Sequence, residues 1–140
     1  MAGLVTRYVV LVGNPSDAPE LPNSLRHHQA VFDHAPAVLT ADRAFSTMDN
    51  EQLAHDLHIR SVALPRQGPL TAKQQHAQHR AAFRRNYRWR AGIEGRISVL
   101  KRRFGLDRCR YHGEAGMERW VGFGLLAHNL RQISHSLASG

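Results

Sequence analysis

The run from Thr71 to Phe104 most constrains how this chain can fold, because no proline interrupts it. Within it, large apolar side chains recur three and four residues apart, at Ile93, Ile97, Leu100 and Phe104. This is the spacing of one face of an α-helix. The pattern predicts a long amphipathic helix with an interruption near Asn86.

The charged residues of this run are almost all basic. Between Arg80 and Arg103, Glu94 is the one acidic residue. At roughly 100° per residue, the side chains of Arg90, Glu94 and Lys101 lie within about 60° of Tyr87 on a helical wheel. The predicted helix therefore carries a polar stripe along the edge of its apolar face, where a site can be held rigidly.

Basic charge is concentrated in the second half of the chain. The formal net charge is +8, made up of −3 over residues 1–65 and +11 over residues 66–140. Guanidinium groups match phosphate oxygens, and neutralising phosphates releases counterions. A polyanion such as DNA is the expected partner, and a solvated helix face is the alternative interpretation.

Strand and helix patterns alternate along the remaining sequence. Strands are predicted over residues 4–12, 37–40 and 61–64, and helices over 17–32, 49–57, 71–104 and 114–137. The last helix has apolar side chains that are expected in the core: Trp120, Val121, Leu125, Leu126, Leu130 and Ile133. The alternation favours an α/β layered structure, and 140 residues predict one domain.

Polar side chains in front of the predicted helices are interpreted as helix caps. Asp17 stands three residues before Glu20, the spacing of a capping box, so Asp17 is interpreted as a cap rather than as a catalytic acid. Ser46 or Thr47 is expected to cap the second helix, and Thr71 the third.

Asp42 follows the short apolar strand predicted over residues 37–40. Ligands of open α/β sheets gather at the carboxyl ends of strands, which is where this carboxylate would project. The residue pattern alone leaves two interpretations level, a turn aspartate and a functional ligand.

The spacing of Tyr87, Arg90, Glu94 and Lys101 resembles the Y-R-E-K motif of bacterial insertion-sequence transposases of the DDE type. Four further segments resemble successive blocks of such a catalytic domain, in the same order: GNPSDAPEL, VLTADRAFST, VALPRQG and RCRYHGEAGMERWVGFGLLAHNLRQI. The resemblance covers nearly all of the chain.

The resemblance implies a partial ribonuclease-H-like α/β fold, with a short mixed sheet flanked by helices, long C-terminal helices and no opening strand. It implies that Asp42 and Glu94 are catalytic carboxylates that bind Mg²⁺ or Mn²⁺. Both ions prefer oxygen ligands, and a pair of them can promote in-line phosphoryl transfer. The implied DNA contacts are Tyr87, Trp89, Arg90, Lys101, Arg102 and Arg103.

The family's first catalytic aspartate lies on a strand upstream of the block that begins here at Gly3. We therefore expect residues 1–140 to be a truncated catalytic domain that does not cleave or transfer DNA strands alone. The alternative is a non-catalytic DNA-binding protein or a regulator that pairs with a transposase.

The expected partners are transposon ends and target DNA, together with a second copy of the chain or a full-length transposase. The sequence has no apolar run of the roughly 20 residues that a membrane span needs, so no membrane partner is expected. The cytoplasm is the expected location.

Overall fold

The computed structural model describes residues 3–13, 15–66 and 68–139, and within them the chain forms five α-helices, a short 3₁₀-helix and two strands. In chain order these are α1 (Glu20–Phe32), β1 (Val38–Thr40), the 3₁₀-helix (Arg43–Phe45), α2 (Met48–Asp56), β2 (Ser61–Ala63), α3 (Ala72–His79), α4 (Ala81–Phe104) and α5 (Glu114–Ala138). The chain divides into two compact units. We call Ser16–Ile93 the sheet unit, and Met1–Pro15 with Glu94–Gly140 the terminal unit.

The sheet unit is built around a parallel pair of strands, β1 and β2, with Leu39 opposite Val62 in the register. Both strands were predicted. The expectation of a mixed sheet is wrong for the residues described, because the ladder they form is parallel throughout. A parallel pair needs a crossover connection, which the 3₁₀-helix and α2 supply.

The core of the sheet unit lies between these strands and helices α1 and α2. Its buried apolar side chains are Leu21, Leu25, Leu39, Ala54, Ile59 and Leu64. Asn50 of α2 is buried beside them. The Asn50 amide donates to the carbonyl oxygens of Ala18 (3.0 Å) and Phe45 (2.9 Å), so it ties the segment before α1 and the 3₁₀-helix to α2.

The helix starts agree with the predicted caps at two of three places. The Thr47 hydroxyl accepts the Asn50 amide hydrogen at 3.2 Å, and Thr71 forms the predicted capping box at the start of α3. The prediction that Asp17 caps α1 is wrong, because α1 begins at Glu20 with no side-chain cap. Pro19 already has helical dihedral angles, and the Asp17 carbonyl accepts the Glu20 amide hydrogen at 3.0 Å.

The predicted interruption near Asn86 is also wrong. The break lies at Arg80, whose ψ of 140° separates α3 from α4. Asn86 is buried within α4 and donates from its side-chain amide to the Ser61 hydroxyl at 2.7 Å. A polar residue that resembles a helix breaker in the sequence therefore holds α4 against β2.

In the terminal unit, the strand predicted over residues 4–12 does not form in the described part of that segment. The Val5 amide nitrogen donates to Asn129 Oδ1 at 2.9 Å, and the Val5 carbonyl accepts from Asn129 Nδ2 at 2.7 Å. The Asn129 side chain of α5 thus pairs with both backbone groups of Val5, which a neighbouring strand would pair with in a sheet.

Helix α5 buries a narrower face than its sequence suggested. Leu125 is buried, and the Trp120 indole nitrogen donates to the Gly105 carbonyl at 2.9 Å. The expectation that all its large apolar residues lie in the core is wrong for Leu126, Leu130 and Ile133, which are exposed. Its buried face instead includes Gly116 and Gly124, which permit close approach of neighbouring chain.

In α4, Leu100 is buried, whereas Ile93 and Ile97 are exposed, contrary to the predicted apolar face. None of the helices within the described ranges is both long enough and apolar enough to cross a bilayer.

Candidate nucleic-acid interface

Asp42 lies just beyond the carboxyl end of β1, as the sequence predicted. Its Oδ1 atom accepts the Arg43 amide hydrogen at 2.7 Å, which starts the 3₁₀-helix. The Asp42 side chain is nevertheless 58% exposed. The residue is therefore a turn aspartate by its backbone contact, and it also presents carboxylate oxygen to solvent.

Arg90 reaches this carboxylate from α4. Its side chain is 16% exposed, and its Nη1 atom lies 3.9 Å from Asp42 Oδ2. The Arg90 guanidinium carbon lies 5.0 Å from the centre of the Tyr87 ring, within cation–π range. The structure thus brings together Asp42, Tyr87 and Arg90, three of the residues singled out in the sequence.

The other candidate residues lie on α4 beyond this group or beside it. Trp89, Glu94, Lys101, Arg102 and Arg103 are all exposed. Glu94 follows Arg90 by one helical turn. The three basic residues occupy the last turn of α4, where positive charge also complements the helix dipole. Their exposure leaves them accessible to a phosphate backbone.

Sequence reasoning missed an ion pair that fixes the chain after β2. Arg66 forms a paired hydrogen bond with Glu51 of α2, with Arg66 Nε to Glu51 Oε1 at 2.8 Å and Nη2 to Oε2 as the second contact. The hydrogen bond to Glu51 raises the pKa of the Arg66 guanidinium, so Arg66 stays positively charged. It anchors the carboxyl end of β2 to α2, and nothing in the local sequence pattern pairs these two residues.

The end of α1 carries a group of histidines, but they do not form a metal site. The rings of His28 and His34 are 5.8 Å apart. Burial lowers the pKa of His28, and the nearby His34 and His27 lower it further. His28 is therefore a neutral residue packed against Phe32, with ring centres 4.6 Å apart.

The donor set for a divalent metal is incomplete among the described residues. They contain no group of three or more histidine, cysteine or acidic side chains that could hold a metal ion. Asp42 uses one oxygen for the Arg43 amide and presents the other towards a guanidinium. The carboxylate chemistry suits Mg²⁺ or Mn²⁺, but these residues do not by themselves form a two-ion centre.

The parallel strands and the helices around them make this an α/β domain. At the carboxyl end of β1, Arg90 of the basic helix α4 lies near the exposed Asp42 carboxylate, and this edge is a candidate phosphate-binding site. Residues 1–130 match the family model described as the transposase DDE domain. Because the match spans most of the chain, the protein belongs to this transposase family. No curated protein and no solved structure matched the sequence significantly.

Proposed function

We propose that this chain acts in DNA transposition as a DDE transposase domain of the Y-R-E-K type, and that its parallel strand pair belongs to a ribonuclease-H-like fold. The observation that carries the proposal is the approach of Arg90 to Asp42, 3.9 Å apart, because it joins the helical motif to the strand-end aspartate. The family match over residues 1–130 supports the same conclusion. The cytoplasm is the proposed location, since the proposed partner is bacterial DNA.

The proposed partner is DNA at the transposon ends and the target site. Arg90 and Tyr87 lie beside Asp42 in the sheet unit. Lys101, Arg102 and Arg103 are a second basic group, in the last turn of α4. Each such cation can neutralise one phosphate and release its condensed counterions. Trp89 is exposed on the same helix and is available to stack on a base.

Asp42 and Glu94 are the proposed metal-binding carboxylates. A bound Mg²⁺ or Mn²⁺ pair would supply electrostatic stabilisation of a phosphoryl-transfer transition state. Two carboxylates under-ligate such a pair, and the described residues contain no group of three that would complete it. We therefore propose that this chain binds DNA but does not cleave or transfer strands by itself, and that a further carboxylate is needed for chemistry.

The proposal that the chain does not cleave DNA by itself is tested with supercoiled plasmid that carries the transposon ends. We expect no nicking in Mg²⁺ or Mn²⁺ by the full chain, and DNA binding that changes by less than about twofold between Mg²⁺ and a chelator. Glu94→Gln is expected to leave both results unchanged, with the exposed Glu118→Gln as the matched control. Cutting that depends on Mg²⁺ and disappears in Glu94→Gln alone would show a working metal site.

A second candidate function is regulation of a transposase by direct pairing. The exposed apolar side chains of α5, which include Leu126, Leu130 and Ile133, favour it because such residues commonly lie at protein contacts. The partner would be a second copy of this chain or a full-length transposase. Sedimentation of the chain alone and with transposase separates this candidate from DNA binding alone.

A further inference from the structure

One side of α5 carries a row of large apolar side chains that face solvent. Along the helix they are separated by three, four, three and four residues. Their exposed fractions run from 44% to 79%. We call this row the α5 seam, and its members are Phe123, Leu126, Leu130, Ile133 and Leu137. Because α5 belongs to the terminal unit, the seam lies entirely within that unit.

The spacing of the seam is that of a helix that packs along another helix. Apolar residues that repeat every 3.5 residues on average occupy the a and d positions of a heptad, and these side chains insert between those of a partner helix. A helix that covers a globular core uses a wider apolar stripe. Arg119 holds the preceding position of the repeat, so the seam begins at Phe123 and covers two heptads. This length predicts a short interface.

The seam lies on the opposite side of α5 from the residues that bury this helix in its own unit. At roughly 100° per residue, the five side chains span about 80° of the helical wheel, and His128 lies about 180° from their centre. His128 is only 2% exposed, and Gly124 and Leu125 are buried on the same side of the helix. The core of the terminal unit therefore uses the other face of α5, and the described part of the chain leaves the seam uncovered.

The charges around the seam favour a second copy of this chain as its partner. The formal net charge is +8, so two copies repel each other where their basic surfaces meet. Between Phe123 and Leu137, Arg131 is the one Lys, Arg, Asp or Glu residue, and it lies about 120° from the centre of the seam on the helical wheel.

The positions beside a heptad seam commonly select a partner by charge. In α5 these positions are all uncharged, and they are Gly122, Ala127, Asn129, Ser134 and Ser136. Two copies of the seam can therefore meet without opposing like charges, and neither copy needs a partner of opposite charge.

The apolar area of the seam is sufficient for a weak dimer. Five large side chains at these exposures present on the order of 500 Å² of apolar surface in each copy. Pairing two seams would bury roughly 1,000 Å² in total, which is the lower size limit of specific protein interfaces. This size predicts a reversible dimer with a dissociation constant on the order of micromolar.

We propose that the α5 seam is a homodimer interface, in which α5 of one copy packs along α5 of a second copy and the seam side chains interdigitate. The proposal rests on the proposed pairing function and adds to it the partner, a second copy, and the residues that join the two chains.

Sedimentation velocity of the full chain from about 1 to 100 µM measures the association, and we expect the average mass to rise from monomer towards dimer over this range. Leu130→Glu places a charge at the centre of the seam and should weaken dimerisation by at least about tenfold. The matched control is Met117→Glu, which adds the same charge to an exposed apolar position of α5 outside the seam. It should change dimerisation by less than about twofold.

Two further measurements separate loss of the interface from loss of folding. Leu130→Ile keeps an apolar side chain at the same position and should still dimerise. Circular dichroism should show the same helix content for Leu130→Glu as for the unmodified chain, because Leu130 faces solvent in the monomer.

Salt gives an independent readout. The seam contains no charges that salt could screen, and salt weakens the repulsion between two basic chains. Raising the salt concentration from about 50 to 500 mM should therefore keep or tighten the dimer, whereas duplex affinity should fall.

A chain that stays monomeric throughout this concentration range, or a dimer that Leu130→Glu and Met117→Glu weaken equally, would overturn the seam assignment. Association only with an added full-length transposase would also overturn it, because the partner would then not be a second copy. Duplex binding by the unmodified chain and by Leu130→Glu is measured in parallel. If both bind DNA equally, the proposed DNA function stands even where the dimer fails, and a dimer that binds no DNA would leave the seam standing alone.

Discussion

Asn50→Ala is expected to destabilise the chain by about 2–4 kcal/mol, because it removes a buried side chain that satisfies two backbone carbonyls. Asn50 is only 3% exposed. Its amide nitrogen donates to the carbonyls of Ala18 at 3.0 Å and Phe45 at 2.9 Å. Alanine would leave both oxygens without this donor and would open a small cavity beside the core of the sheet unit. Urea unfolding followed by circular dichroism measures the loss.

The matched control is Gln52→Ala on the same helix, α2. Gln52 is exposed, and its hydrogen bond to Asp56 is a surface contact. Its loss is expected to change the free energy of unfolding by less than about 0.5 kcal/mol. Equal destabilisation by the two substitutions would mean that Asn50 does not hold the segment before α1 and the 3₁₀-helix after β1 to α2.

The second large effect concerns DNA affinity. Replacing Lys101, Arg102 and Arg103 together by glutamine is expected to weaken duplex binding on the order of 100-fold at low salt, since three cations that face solvent would be lost. The loss should be similar for unrelated DNA sequences, because contacts to phosphates carry no sequence information. Anisotropy titrations with two unrelated duplexes measure it.

The matched control replaces Arg26, Arg60 and Arg119 together by glutamine, which removes the same three positive charges from exposed positions outside α4. It is expected to weaken binding by less than about fivefold, through the change in net charge alone. If both triple variants lose affinity equally, the interaction is a general effect of net charge and the end of α4 is not the binding surface. Circular dichroism checks that α4 remains helical in both variants.

The sequence was most informative where a structural feature depends on neighbouring residues. Thr47 and Thr71 lie directly before the helices that they cap, and β1 and β2 are short apolar runs bounded by turns. Asp42 could be placed at a strand end for the same reason. The spacing of Tyr87 and Arg90 put them on one helix face, and the structure adds that this face meets Asp42.

The sequence failed where the partner of a residue is distant along the chain. Asn129 supplies the hydrogen bonds that residues 4–12 were expected to make with a strand, yet it lies 124 residues from Val5. Asn86 resembled a break because its bond to Ser61 cannot be seen locally. The exposure of Leu130 shows that an apolar residue on a helix indicates a preference for burial without identifying what buries it.

The candidate site was predicted in part. The helix that carries Tyr87, Arg90 and Glu94 was predicted correctly, and the match over residues 1–130 confirms the transposase family. The Arg66–Glu51 pair could not be predicted, because it depends on how α2 packs against the chain that follows β2. The roles of Asp42 and Glu94 in metal binding stay predictions.

The most direct test of the central claim, that this transposase domain binds DNA phosphates through α4, is a salt titration of the unmodified chain with a duplex. Arg90, Lys101, Arg102 and Arg103 predict a slope of about −3 to −4 in a plot of log affinity against log salt concentration, independent of DNA sequence. A slope near zero from about 50 to 200 mM salt, or no binding at the lower concentration, would contradict the account.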